Sequence, residues 1–358
     1  MKFSFLPVVA LFFGLFSCES PPPPITADTP VLDAAHPIAY FRSDSAFYSF
    51  QLPRDNYYDL IGKVYRREAN PTKPRLQTLY FQTATDAYVD YFGDSTGLLL
   101  PYPLPLDRTV RADLSGNVVE LEPISPAVKL GRLLVTDSAR YEAAEATSPY
   151  FEYTVDIPQG VSGNAALDAL INEDMRRHVF GETGRYAGSS DEEKIRNMIK
   201  AERDSFFQQE LPDDYLSFGP SFSRSTQETG FVRYNADNLL TLEIATATYA
   251  GGAHGMYTNS LYSYKADPPK RLTLTDYVPK AKHDELSRIL TQIANTPNGE
   301  GEVLSERFYE PTDIVPVPAG NNVGVFPDGL LFYYQPYELG AYAAGSFEIF
   351  VPMSRLPK

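Results

Sequence analysis

The sequence predicts an α+β protein built on antiparallel sheets, and three observations carry that expectation. Leu240, Leu242, Ile244, Thr246 and Thr248 alternate with Thr241, Glu243, Ala245, Ala247 and Tyr249, the period-2 pattern of a strand with one buried face. Three other segments, near residues 167–179, 195–206 and 286–293, place apolar residues at helical spacing. Strand-like and helix-like segments do not alternate regularly, as the crossover units of a parallel sheet would require.

Met1-Lys2 gives a short positive start, Phe3 to Phe16 is mostly apolar, and Leu15-Phe16-Ser17-Cys18 has lipobox spacing. The apolar run is too short for a spanning helix. Residues 1–17 therefore read as a bacterial lipoprotein signal peptide, and Cys18 as the lipid attachment point of an exported, membrane-anchored protein. Its body is expected in the periplasm or at the cell surface. Cys18 is the only cysteine, so no intrachain disulfide can form. Residues 18–39 form a Pro-rich linker, because Pro21-Pro22-Pro23-Pro24 favours extended polyproline II.

Residues 40–128 read as a β-rich module. Its candidate strands are Ala46–Leu52, Leu60–Arg66, Gln77–Thr83, Ala87–Phe92 and Val118–Leu121, separated by Gly, Pro, Asn and Asp clusters. Prolines at 101, 103 and 105 keep the apolar run Leu98–Leu106 out of any central strand, leaving an edge or a packed loop. Between Val128 and Glu145 the pattern predicts a short strand, Arg132–Thr136, followed by an Ala/Glu/Ser-rich linker.

Residues 146–250 read as one α+β subdomain and 251–358 as a second, packed with it. Phe151–Ile157 alternates as a strand, and Asn164 is placed to cap a helix with the stripe Leu167, Leu170, Ile171, Met175 and Val179. Ser190-Asp191-Glu192-Glu193 opens a second helix, since acids suit the positive end of the dipole. Its stripe is Ile195, Met198, Ile199, Glu202 and Phe206. Phe218–Thr226 and Gly230–Asn235 read as strands leading into the alternating segment. Tyr249-Ala250-Gly251-Gly252-Ala253-His254-Gly255 then turns the chain, because glycine takes positive φ without steric cost. Tyr257–Tyr264 returns as a strand. A third helix carries Leu286, Ile289, Leu290 and Ile293, and Asp328-Gly329 signals a two-residue hairpin. Strands around Leu330–Tyr334 and Ser346–Val351 complete the sheet.

A formal charge of -15 argues against nucleic acid, whose recognition depends on clustered Lys and Arg, and would steer basic proteins toward the chain. Four dispersed histidines do not suggest a metal site, and no cofactor motif is present. His254 in the glycine turn has three readings: a hydrogen-bonding pin for the turn, a partner contact, or a general base. No carboxylate or nucleophile is fixed beside it by local spacing, and neither G-x-S-x-G nor His-Glu-x-x-His occurs. The candidate partner-binding residues are Tyr249, Gly251, Gly252 and His254 of the turn, with the tyrosine cluster Tyr333, Tyr334, Tyr337 and Tyr342. Alternation places Phe332 and Tyr334 opposite Tyr333, so that one set is exposed.

The Tyr-x-Gly-Gly-Ala-His-Gly element, Leu272-Thr273-Leu274-Thr275-Asp276-Tyr277, and the Asp328-Gly329-Leu330 to Tyr337-Glu338 segment together resemble the extracellular module of the anti-sigma-V factor RsiV. The same module accompanies peptidoglycan deacetylases of the PdaC type. The resemblance covers roughly the last three-fifths of the chain and implies an extracytoplasmic recognition module, with lysozyme as a partner. It departs in carrying a lipid-anchor signal where that anti-sigma factor has a spanning helix and a sigma-binding segment. The deacetylase's metal-binding Asp and His motifs are not recognisable. The expectation is a non-enzymatic cell-envelope lipoprotein that recognises an extracytoplasmic protein. A peptidoglycan- or polysaccharide-binding accessory module and an unrecognised hydrolase are the alternatives.

Overall fold

The computed structural model describes residues 29–34, 36–52, 59–67, 75–84, 87–90, 100–113, 118–181, 186–297, 301–313 and 315–358. The residues read as a signal peptide, Cys18 and the proline run lie outside the described residues. The protein is α+β, with three sheets among the described residues and mostly antiparallel pairing.

The first sheet contains β1 (Ile38–Arg42), β2 (Ala46–Gln51), β3 (Leu60–Arg66), β4 (Leu76–Ala84), β5 (Ala87–Asp90), β6 (Leu100–Pro101), β7 (Val110–Asp113) and β8 (Val118–Pro123). Its order is β6-β5-β4-β3-β2-β1-β8-β7. The proline-rich run contributes only β6, at the sheet edge, where absent N–H donors cost least. Phe41, Phe50, Phe81 and Leu121 fill this module's core, with Leu100 and Leu104 packed into it.

The central sheet contains β9 (Leu130–Arg140), β10 (Tyr150–Gly160), β11 (Arg224–Ala236), β12 (Leu239–Tyr249), β13 (Met256–Lys265) and β14 (Lys270–Leu272), in the order β14-β13-β12-β11-β10-β9. The expected short strand at Arg132–Thr136 is instead an eleven-residue strand. The Ala/Glu/Ser-rich stretch is not a linker but the turn into β10, closed by Tyr141 N–H donating to Pro149 O at 2.8 Å. Backbone pairing with β10 extends β9 through residues whose side chains face solvent at the sheet edge, so hydropathy alone stops too early.

Helices α1 (Ala165–Phe180) and α2 (Asp191–Phe207) make the crossover that lets β10 and β11 pair in parallel. Asn164 caps α1 by accepting from the N–H groups of Ala166 and Leu167, and Ser190 caps α2 by accepting from Glu193 N–H. Leu167, Ile171, Met175 and Val179 bury against Val155, Leu240, Leu242 and Ile244 of the sheet, each contributing roughly 1.5–3 kcal/mol for a full side chain. Glu202, placed by spacing in the α2 stripe, is exposed. The expected strand at Phe218–Thr226 is in its first part a 3₁₀ segment, Tyr215–Phe222, containing Pro220. From Arg224 the chain runs as one thirteen-residue strand that absorbs the expected Gly230–Asn235, with a bulge between Val232 and Tyr234.

The C-terminal strands do not complete that sheet. β15 (Val323–Phe326), β16 (Gly329–Tyr334) and β17 (Phe347–Pro352) form a third sheet, covered on one face by α3 (His283–Ala294) through Leu286, Leu290, Phe332, Tyr334 and Ile349. Phe326 pairs with Gly329, so Pro327 and Asp328 are the turn residues. Gly329 is needed for close approach, since a Cβ there would sit 2.4 Å from the Phe350 ring.

The three sheets meet around one aromatic core. Phe47 and Tyr65 come from the first, Tyr234 and Leu261 from the second, Phe326, Leu331 and Tyr333 from the third. The Tyr65 ring lies 5.6 Å from that of Tyr234 and 4.7 Å from that of Phe326. β12 is consequently buried on both faces over its first half, where the sequence suggested one. Leu240, Leu242 and Ile244 face the helices, while Thr241 and Glu243 face the other two sheets.

Candidate functional site

The non-helical face of the central sheet is the floor of a cleft of about 550 Å³. Gln227, Thr229, Phe231 and Arg233 of β11 alternate onto this face, as do Glu243, Ala245 and Ala247 of β12. β3 and β4 supply Lys63, Thr78 and Tyr80 as one wall, and Tyr333, Ser346 and Glu348 form the opposite wall. Tyr257 and Asn259 of β13 close the end nearest the glycine turn. A wider depression of about 720 Å³ at the edge of the first sheet is lined by exposed, mutually paired charges such as Arg42–Glu122 and Arg67–Asp237.

A buried ion network ties the cleft together. Glu243 accepts from Arg233 and from Lys63, whose Nζ is 3.2 Å from Oε1. Arg233 also reaches Glu348 at 3.3 Å, and Lys63 donates to Thr78 Oγ1 at 3.1 Å while lying over the Phe231 ring. Burial lowers the Lys63 ammonium to about 8, with repulsion from Arg233 adding to the effect and Glu243 opposing it. Burial pushes the Glu243 carboxyl up, but the Arg233 and Lys63 charges outweigh it and hold the group below its usual range. Lys63 comes from the first sheet, Arg233 and Glu243 from the second and Glu348 from the third, so the network fixes the modules against one another.

The glycine turn lies at the cleft mouth. Gly251 and Gly252 have φ of 88° and 90°, and the Tyr249 hydroxyl donates to Gly252 O at 2.9 Å across the turn. The His254 ring stacks on Tyr342 at 4.3 Å with planes 17° apart, and its Nδ1 is 2.8 Å from Gly255 O. Tyr342 in turn contacts Tyr337 at 5.7 Å and Tyr257 at 5.9 Å. His254, Tyr337 and Tyr342 therefore come together as an accessible aromatic rim, with Tyr337 47% exposed. Tyr333 and Tyr334 alternate as expected, yet neither is exposed. Tyr334 is in the α3 core, donating to Pro318 O at 2.6 Å, while Tyr333 walls the cleft and accepts from Asn259 Nδ2 at 2.9 Å. The third sheet has another sheet on the face that would otherwise meet solvent.

Beneath the opposite face lies a second polar cluster. Glu228 Oε1 accepts from the Tyr153 hydroxyl at 3.2 Å, and its Oε2 accepts no hydrogen bond among the described residues, lying 3.8 Å from His178 Nε2. His178 Nδ1 and Nε2 are 3.0 Å from the Tyr262 hydroxyl and 3.1 Å from Thr246 Oγ1. Burial raises Glu228 to about 7, the Tyr153 bond partly opposing it, and burial lowers His178 to about 4. Between those values the pair holds a single proton.

Sequence reasoning singled out His254, Tyr337 and Tyr342 in separate stretches, without their stacking, and missed the cleft. A signal was present: Lys63, Arg233 and Glu243 each stand between two non-charged, largely apolar neighbours within a strand, in Gly62-Lys63-Val64, Val232-Arg233-Tyr234 and Leu242-Glu243-Ile244.

Two family models match separate parts of the chain. Residues 144–257 match the family model described as deacetylase PdaC, and residues 274–354 match DUF3298, a protein family of unknown function. Residues 144–257 are thus PdaC-like and residues 274–354 DUF3298-like, each match covering less than half of the chain. A crystal structure of a DUF3298 family member from Bacteroides fragilis shares the fold, at 21% identity and a TM-score of 0.52, covering 64% of this chain and 92% of that one. A DUF3298 family protein from Pseudomonas aeruginosa matches over the same shares, at 18% identity and a TM-score of 0.43. No curated protein matches. The cleft draws on the PdaC-like unit for Gln227, Arg233 and Glu243 and on the DUF3298 unit for Tyr333 and Glu348. Lys63, Thr78 and Tyr80 belong to neither match.

Proposed function

We propose that this chain is a non-enzymatic recognition module of the bacterial cell envelope, lipid-anchored through Cys18, that binds an extracytoplasmic protein through the aromatic rim. The observation that carries this reading is the stack of His254, Tyr342 and Tyr337 on a turn pinned by Tyr249. Rigid aromatics at an accessible edge make contact area at little entropic cost. His254 has a ring partner and a backbone carbonyl beside it rather than a nucleophile, and the cleft charges are spent on one another. The PdaC-like unit supports an extracytoplasmic setting, and no described helix is long and apolar enough to cross a membrane.

Lysozyme is the partner implied by the anti-sigma-V resemblance, and the chain's charge of -15 suits a basic enzyme. Calorimetric titration with a basic c-type lysozyme should show binding that weakens steeply from low to moderate salt. Replacing both Tyr337 and Tyr342 by Ala should weaken it by about tenfold or more. Absence of binding at low salt would remove lysozyme as the partner. The anchor is read separately by fractionation: Cys18→Ser should move the protein from the membrane to the soluble fraction, and continued membrane retention would count against lipidation.

A further inference from the structure

The cleft's polar groups fall into two classes. Its four charges, Lys63, Arg233, Glu243 and Glu348, are joined in one network and sum to zero. Of its neutral groups, Thr78 accepts from Lys63 and Asn259 donates to Tyr333, but two on the floor are not engaged in this way. Gln227 and Thr229 make no side-chain hydrogen bond among the described residues, although both line the cleft floor. Aromatic side chains flank them, with Phe231 on the floor and Tyr257 at the mouth. The volume of about 550 Å³ falls within the roughly 300–1,000 Å³ of small-ligand sites.

An anionic ligand would have to break the network to find a cation, and would approach a body of charge -15. A cationic ligand would meet carboxylates already committed to Arg233 and Lys63. A purely apolar ligand would strand Gln227 and Thr229 without water. Amide and hydroxyl groups beside the Tyr257 ring suit a ligand with many hydroxyls and exposed C–H faces, while the Phe231 ring is covered by Lys63.

From this we infer that the cleft is a binding site for a short neutral oligosaccharide, with one wall supplied by the N-terminal sheet. Thr78 and Tyr80 then influence selectivity, although they lie outside both family matches. The inference concerns a small ligand in the cleft and stands apart from capture of a protein at the rim.

The test is calorimetric titration of the chain from Glu19, which keeps every described residue, with cellotetraose, chitotetraose and tetragalacturonate. Either neutral tetrasaccharide should bind, and the acidic one should bind at least about tenfold more weakly. Ala245→Phe, which fills the floor from an open position, should reduce binding by about tenfold or more, and Gln227→Ala by roughly three- to tenfold. Both variants should melt with the wild type. Lys200→Ala, on an exposed stretch of α2, is the control and should bind as the wild type does. Failure of both neutral sugars at millimolar concentration, equal binding of the acidic sugar, or full binding by Ala245→Phe would each overturn the inference. Lysozyme capture without sugar binding would sink the cleft site while leaving the rim reading intact, and sugar binding without lysozyme capture would do the reverse.

Discussion

Glu228 and His178 show how burial converts ordinary side chains into pH-dependent ones. Glu228 rises from 4.5 to about 7, so between those values the folded chain keeps a proton that the unfolded chain has lost. Its contribution is therefore fully present below pH 4.5 and is lost as pH rises through 7. His178 falls from 6.5 to about 4, and its contribution is present above pH 6.5 and lost as pH drops toward 4. The two slopes cancel between about 4.5 and 6.5, leaving a plateau with a falling limb on each side. Glu228→Gln removes the alkaline limb. Its stability relative to wild type should grow by roughly 2–3 kcal/mol between pH 4.5 and 8, as read by urea unfolding. A gap that stays constant over that range would contradict the assignment. The Glu243 network behaves differently, since its two cations keep the carboxylate ionised where burial alone would neutralise it.

Among the elements, the glycine turn between β12 and β13 shows the tightest local demand. Gly251 combines a φ of 88° with a position where a Cβ would lie 2.6 Å from Ser221 O. Both terms oppose any side chain, so Gly251→Ala should cost roughly 1–3 kcal/mol. Thermal and denaturant melts should show the loss, and a variant as stable as wild type would mean that the turn relaxes freely. Gly252 has a similar φ but open space around it, so its substitution meets only the backbone term. The helices were legible because their caps and stripes are local: Asn164, Ser190 and four of the five α1 stripe residues behave as spacing alone requires, with Leu170 half-buried. Strand lengths were less so. β9 and β11 continue through polar residues because a neighbouring strand takes their backbone hydrogen bonds; for β9 that is the next strand, β10, and for β11 it is β10 again, across the two-helix crossover.

At the scale of the molecule, the N-terminal sheet is structural as well as a cleft wall. Phe47 and Tyr65 cover Tyr234 and Phe326, and Gln51 donates to Gly230 O at 2.7 Å. Lys63 supplies one of the two cations held by Glu243. A fragment beginning at Ser125 would retain both family matches but uncover this aromatic core. It should bind a hydrophobic dye and melt well below the full chain, or aggregate. A fragment that melts with the full chain and binds no dye would show the modules to be independent.

The stacking of His254 on Tyr342 is a tertiary contact, whereas by itself the sequence determined the α+β class, the capped helices, most strands of the N-terminal sheet and the glycine turn. These follow from short-range periodicity, turn chemistry and capping, which act over a few residues. Only the tertiary structure decided that Tyr333 and Tyr334 are buried, that the last strands form a sheet of their own, and that β12 is covered on both faces. It also decided that Lys63, Arg233, Glu243 and Glu348, up to 285 residues apart by their numbering, form one buried network above a cleft. Burial on a second face and the pairing of distant charges depend on how three sheets pack together, and no local pattern encodes that packing.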